Sequence, residues 1–270
     1  MGHMACGWTG SGEGFGSMLK RLALLAFVLF MGADLARSAD LPLPLCPNAS
    51  TVMAKNPSLR SAFKAAYPKA VERRSRKGQS SGPCLYPYQA LSYPETVVLF
   101  TLAGVPGQAC HGCPAVVSAV FLRKEKRALK PVGFHDDFIE TGSSGDLNGI
   151  KAARFGTGYG AVVEGGGTFQ GQEFSVIEPF LLQDDRMKAI GPEGGIPIAS
   201  SNCGAKEEGE PCREIRGRWN TEGRRLHIRY LGRRDDRTRV DATAIYELRG
   251  DRLSLVSGGE IAAEMRDYRP

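Results

Sequence analysis

The stretch that decides the fold is Ile215–Leu231, IRGRWNTEGRRLHIRYL. Apolar and charged residues alternate along both halves, and the turn residues Asn220–Gly223 separate them. Successive side chains of a strand point to opposite faces, so each half can bury one row and leave its arginines in solvent. The pattern therefore predicts an antiparallel hairpin with one buried face and one basic face.

Short apolar runs of the same kind extend on both sides of this hairpin, divided by turns within a chain of 270 residues with 34 Gly and 16 Pro. They are Thr96–Leu102, Ala115–Leu122, Val132–Ile139, Ala161–Glu164, Phe174–Leu182, Val240–Leu248 and Arg252–Val256. We predict a mainly β, antiparallel fold: a sandwich, a barrel or a partial propeller. Gly165–Gly167 is expected to separate two strands, and residues 191–212 to form a long loop.

One helical segment is predicted near the N-terminus, over about residues 56–74. Asn56 can cap it, Pro57 suits its first position, and apolar residues then recur at helical spacing. Pro68 lacks a backbone donor and predicts a kink or two short helices near Tyr67. We expect residues 39–55 to be extended, and residues 39–270 to form a single β-rich domain.

Residues 1–38 are interpreted as a leader with a signal peptide. Lys20 and Arg21 precede the apolar run Leu22–Met31, and Ala36–Ser38 has the shape of a cleavage site. The run is about half of the ~20 residues that a bilayer-spanning helix needs. We therefore predict a periplasmic or secreted mature protein without a transmembrane span.

Removal of the leader takes away Cys6 and leaves six of the seven cysteines. An even number in an exported chain indicates disulfides, because such compartments are oxidising. Proximity in sequence favours three pairs, which are Cys46 with Cys84, Cys110 with Cys113, and Cys203 with Cys212. Fifteen connectivities are open to six cysteines, and the sequence does not select among them.

The motif Cys110-His111-Gly112-Cys113 allows a second interpretation. A C-x-x-C pair at a helix N-terminus can hold a reactive thiolate, which would make the protein an exported thiol-disulfide oxidoreductase using Cys110 and Cys113. The residues after Pro114 suit a strand better, which favours an inert bridge. A single cysteine knuckle also argues against zinc. We expect no metal and no cofactor, and lean toward a protein that is not an enzyme.

His135, Asp136 and Asp137 form a small polar cluster. On a regular strand His135 and Asp137 share one face, so only these two can converge. A hydrolase built around them is a further alternative, and it requires a cleft and a nucleophile that the sequence does not identify.

The stretch from Arg213 to Arg239 holds ten arginines against four acids, within a chain of net charge +6 that becomes +5 without its leader. Four arginines on the predicted basic face are candidate anion-binding residues: Arg216, Arg218, Arg225 and Arg229. The expected partner is an anionic envelope component, such as a lipid headgroup, a lipopolysaccharide phosphate or an acidic glycan, and not a nucleic acid. The alternative is that these arginines pair with Asp241 and Glu247 on the next strand.

Overall fold

The computed structural model describes residues 44–72, 84–126 and 128–268, which form a mostly antiparallel β structure with short helices, as predicted. The helices are α1 (Ala49–Lys55), α2 (Pro57–Ala66) and α3 (Gly259–Asp267). The strands are β1 (Pro44–Leu45), β2 (Val71–Glu72), β3 (Tyr86–Ser92), β4 (Thr96–Leu102), β5 (Ala115–Glu125), β6 (Ala128–Thr141), β7 (Gly149–Phe155), β8 (Gly158–Phe169), β9 (Gln172–Gln183), β10 (Arg186–Ala189), β11 (Ile196–Ser201), β12 (Glu214–Glu222), β13 (Arg225–Arg233), β14 (Arg239–Arg249) and β15 (Arg252–Ser257). The leader and its cleavage site lie outside the described residues.

The strands form two main sheets. Strands β3 to β6 make a four-stranded meander, and β15-β14-β13-β12-β11-β9-β8-β7 is the order of the larger sheet. Strand β10 joins the larger sheet by pairing with the second half of β9, whose first half pairs with β11. The short strands β1 and β2 form a separate parallel pair.

Apolar side chains fill the space between these layers. One cluster joins Phe100 and Val117 of the small sheet to Val163 and Phe180 of the large one. A second packs α1 and α2 against the other face of the small sheet, and a third packs α3 against the large sheet. The large sheet curls, so that the β7–β8 and β12–β13 turns meet through a backbone hydrogen bond of 2.6 Å. The small sheet therefore packs against the β7–β9 part of the large sheet through the first of these clusters.

The predicted hairpin is confirmed as β12 and β13. They pair in register from Glu214 opposite Arg233 to Glu222 opposite Arg225. Ile215, Leu226 and Ile228 are fully buried, which leaves the alternate residues, the arginines, on the outer face.

The helical prediction needs two corrections. Asn56 does cap a helix, since its Oδ1 accepts a hydrogen bond of 3.0 Å from the Leu59 N–H, but the helix ends at Ala66 and does not reach residue 74. Tyr67, just before Pro68, leaves the helical region, because proline disfavours that conformation in the preceding residue. Residues 49–55, predicted to be extended, form α1 instead.

Two β-sheet predictions were also wrong. Residues 191–212 are not one loop, because they contain β11, and the Gly and Pro residues around it hid the strand in the sequence. Gly165–Gly167 does not separate strands but lies inside β8. A Cβ atom at Gly165 would collide with the Thr141 hydroxyl, so glycine is needed there for close approach of the Thr141–Ser143 segment.

Candidate anion-binding site

Three disulfides join the six cysteines in the pairs that sequence proximity favours. Cα–Cα distances are 4.9 Å for Cys46–Cys84, 5.0 Å for Cys110–Cys113 and 4.9 Å for Cys203–Cys212. The first ties the N-terminal helices to β3, and the last closes the loop that leads into β12. The first disulfide therefore braces the N-terminal end of the described fold, and the last braces the entry to β12.

The Cys110–Cys113 pair lies in a loop that is fixed to its neighbours. Strand β5 begins two residues after Cys113, so no helix N-terminus is available to stabilise a thiolate. The Ser144 N–H donates to the His111 carbonyl at 3.2 Å, and the Gly145 N–H donates to the Cys113 carbonyl at 2.9 Å. These contacts favour a structural bridge over a redox centre.

The polar cluster in β6 is split by a bulge. Asp137 has a φ of 45° and hydrogen-bonds Ser118, so it does not share a strand face with His135. His135 Nδ1 accepts from the Met187 N–H at 3.2 Å, and burial lowers the pKa of the imidazole. Within the described ranges no group of three or more His, Cys, Asp or Glu residues is placed to hold a metal ion.

Three of the four predicted anion-binding arginines already have carboxylate partners. Arg216 contacts both oxygens of Glu173 at 3.2 Å, and these hydrogen bonds raise the pKa of the guanidinium. Partners on β14 hold the other two, since Arg229 is 3.1 Å from both oxygens of Asp241 and Arg225 Nε is 3.2 Å from Glu247. Arg225 and Arg229 therefore pair with Glu247 and Asp241 on the next strand, which was the alternative to a free anion-binding face.

The same outer face retains arginines without such partners. Arg218, Arg233, Arg237 and Arg239 are exposed, and none forms an ion pair within 4.0 Å across residues 44–72, 84–126 and 128–268. They line a groove of ≈ 810 Å³, hereafter the arginine groove. The remaining walls are supplied by Glu210, Pro211, Cys212, Glu214, Arg216, Leu231 and Gly232.

The charge of the arginine groove is positive. Two carboxylates belong to its lining, and one of them is Glu214 on β12. The Glu214 Oε1 accepts a hydrogen bond of 3.3 Å from Arg216 Nε. Arg216 is therefore shared between Glu214 and Glu173. Glu214 also lies directly opposite Arg233, and Glu210 is the second acid of a lining that holds five arginines. Guanidinium groups bind phosphate and carboxylate through two parallel hydrogen bonds, which is the chemistry this lining offers.

Three of the four unpaired arginines were missed as candidate site residues. The sequence pattern ended one strand at Leu231 and began the next at Val240, which placed Arg233, Arg237 and Arg239 in a turn. The strands in fact continue to Arg233 and begin at Arg239. Extending the alternation of Arg225, Arg229 and Leu231 by one further step would have placed Arg233 on the outer face.

Two other arginines between residues 213 and 239 are paired with acids and pack beside helix α3. Arg213 is 8% exposed, donates to Ser200 at 3.0 Å and Asp235 at 3.2 Å, and stacks on Tyr268 with its Cζ 3.7 Å from the ring centroid. Arg234 binds both oxygens of Glu264 at 2.6 and 2.8 Å. We call the set Arg213, Arg234, Asp235, Glu264 and Tyr268 the anchor network, because it fastens α3 to the β-sheet.

Comparison of the chain with family models, curated proteins and solved structures finds no match in any of the three. In the part of the chain that the structure describes, no helix is both long and apolar enough to cross a membrane.

Proposed function

We propose that this protein is an exported, disulfide-braced binding module that holds an anionic component of the cell envelope in the arginine groove. The observation that carries the proposal is the set of four exposed, unpaired guanidinium groups along one groove of ≈ 810 Å³. Export is supported by the apolar leader in the sequence and by the disulfides, which persist in oxidising compartments.

Cross-strand geometry adds a second line of support. Arg233 lies directly opposite Arg239 on one side and Glu214 on the other, and Arg218 lies directly opposite Arg229, which is paired with Asp241. Like charges at directly opposed positions destabilise a sheet. An anion bound between Arg233 and Arg239 would reduce the repulsion that Glu214 leaves uncompensated, so binding would favour the sheet.

The test is binding to vesicles that contain phosphatidylglycerol, measured by co-sedimentation at low salt and at about 0.15 M salt. The Arg218→Gln/Arg239→Gln variant should bind about tenfold to thirtyfold more weakly than the parent, because each arginine at an anionic surface contributes about 1 kcal/mol. Added salt should weaken binding of the parent.

Arg60→Gln/Arg252→Gln is the matched control. Both residues are exposed and lie outside the arginine groove, and the variant loses the same net charge. It should bind within about threefold of the parent. Equal losses in the two variants, or no salt-sensitive binding by the parent, would contradict the proposal.

A further inference from the structure

The arginine groove has two positive ends. At one end Arg233 stands between Arg239 on β14 and Glu214 on β12, with Arg237 from the intervening turn in the same lining, so cations outnumber the acid there. At the other end Arg218 is the unpaired cation, because Arg229, which stands opposite it outside the lining, is bound to Asp241. Because Arg218 pairs in register with Arg229, it lies four residues along the hairpin from Arg233, which corresponds to about 13 Å of backbone. The unpaired positive charge is therefore divided between two separate places.

The middle of the groove is neutral. Leu231 lies between the two ends and is 38% exposed. It stands opposite Arg216 on one side and Asp241 on the other, and both of these already take part in ion pairs, with Glu173 and with Arg229. The row between the ends therefore adds an apolar surface and no unpaired cation.

From this spacing we infer that the ligand carries two phosphate groups about 13 Å apart, joined by an uncharged spacer that covers Leu231. One phosphate binds Arg233, Arg237 and Arg239, and the other binds Arg218. The inference rests on the proposed function and narrows it to a bis-phosphorylated glycan, either free or as the headgroup of a glycolipid.

The neutral middle row distinguishes this ligand from a uniformly charged polymer. A chain with an anionic group on every unit would place a charge on Leu231, next to the Asp241 carboxylate. An anionic group placed on Leu231 would lose part of its hydration without gaining an unpaired cation as a partner. A disaccharide phosphorylated at its two ends avoids this cost, because its sugar rings meet the leucine.

The test compares two soluble probes by isothermal titration calorimetry: a glucosamine disaccharide phosphorylated at both ends, and the same disaccharide with one phosphate. We expect the bis-phosphorylated probe to bind at least about tenfold more tightly, which corresponds to about 1.4 kcal/mol. Arg218→Gln should abolish this difference and leave the affinity for the mono-phosphorylated probe unchanged. Arg239→Gln should weaken binding of both probes.

Vesicles that display the acylated forms of the two probes distinguish the source of the ligand. Preference for the bis-phosphorylated form in both formats supports a glycan recognised with or without its lipid, and preference on vesicles alone supports a headgroup. Equal binding of the two probes in both formats, with salt sensitivity retained, would overturn the two-phosphate inference while leaving the proposed function standing. Absence of salt-sensitive binding to every probe and to phosphatidylglycerol vesicles would instead contradict the proposed function itself.

Discussion

Two groups of arginines that come from the same short segment have opposite surroundings. In the anchor network, Arg213 and Arg234 are held by Asp235 and Glu264, with Tyr268 stacked on Arg213. In the arginine groove, Arg233 is the immediate chain neighbour of Arg234, yet it has no ion pair within 4.0 Å among the described residues. One peptide step thus separates an arginine that fastens a helix from one that is free to bind a ligand.

The difference shows that arginine density alone does not define a binding surface. Helix α3 supplies Glu264 and strand β9 supplies Glu173, and both are remote in sequence from the arginines that they neutralise. Where the described residues bring no carboxylate within ion-pair distance, as for Arg218 and Arg239, the charge stays available. The comparison predicts that mutations in the anchor network change stability, whereas mutations in the arginine groove change binding.

The largest effect is expected from Arg213→Ala. This change leaves the Asp235 carboxylate without its cation and removes the stacking on Tyr268. We expect a loss of about 3 kcal/mol in the free energy of unfolding, because a buried side chain, its stacking on Tyr268 and its hydrogen bond to the buried Ser200 hydroxyl are all lost. For a domain of this size that corresponds to a fall in Tm of about 6–12 °C, measurable by differential scanning calorimetry.

Arg218→Ala is the control for this prediction, since it removes an exposed arginine that has no ion pair among the described residues. It should not lower Tm by more than about 1 °C. If Arg213→Ala unfolds at the temperature of the parent, or if Arg218→Ala loses as much stability, the division between the two groups is wrong.

The sequence predicts the strands better than the site. The alternation of apolar and charged residues in Ile215–Leu231 was sufficient to predict the hairpin. A strand with one buried face shows this alternation with a period of two residues, so it can be recognised locally. Helix α1 and strand β11 were missed, because Pro and Gly around them indicate turns when tertiary packing is unknown. Of the arginine groove, only Arg216 and Arg218 were among the predicted anion-binding residues.

The site could not be predicted fully because charge neutralisation is a long-range property. The pairing of Arg225 and Arg229 with Glu247 and Asp241 was open to sequence reasoning as an alternative, since the strands are neighbours. The Glu173 contact of Arg216 was not, because it depends on β11 lying between β9 and β12. Selection of the free arginines therefore requires the topology of the whole sheet.

A smaller effect is expected from the acid side of the anchor network. Hydrogen bonds from Arg234 hold the pKa of Glu264 below its ordinary value of 4.5. A carboxylate with a depressed pKa in the folded state adds stability above the unfolded pKa, and this stability is lost as the pH falls through the folded pKa. Glu264→Gln should therefore lower Tm at pH 7, and the difference from the parent should shrink as the pH falls below about 4.5.

Glu260→Gln is the matched control for the pH experiment, because Glu260 is exposed on the same helix. Its thermal unfolding should follow the parent across the pH range more closely than that of Glu264→Gln. A Tm difference between Glu264→Gln and the parent that stays constant from pH 7 to about pH 3 would contradict the assigned role of the Arg234–Glu264 pair.

The smallest effect has the opposite sign and concerns the arginine groove. Arg218 stands directly opposite Arg229 on the outer face, and the repulsion that the Asp241 partner of Arg229 leaves uncompensated destabilises the sheet. Arg218→Gln should therefore raise Tm by about 1–2 °C at low salt, and added salt should remove the gain by screening the repulsion.

The same variant should lose affinity for the bis-phosphorylated disaccharide, whereas Arg60→Gln, on the exposed side of α2, should change neither quantity. A gain in stability together with a loss of affinity would show that Arg218 contributes to ligand binding and not to the stability of the fold. A lower Tm in Arg218→Gln would show instead that this guanidinium supports the sheet, and would move Arg218 from the arginine groove to the structural group.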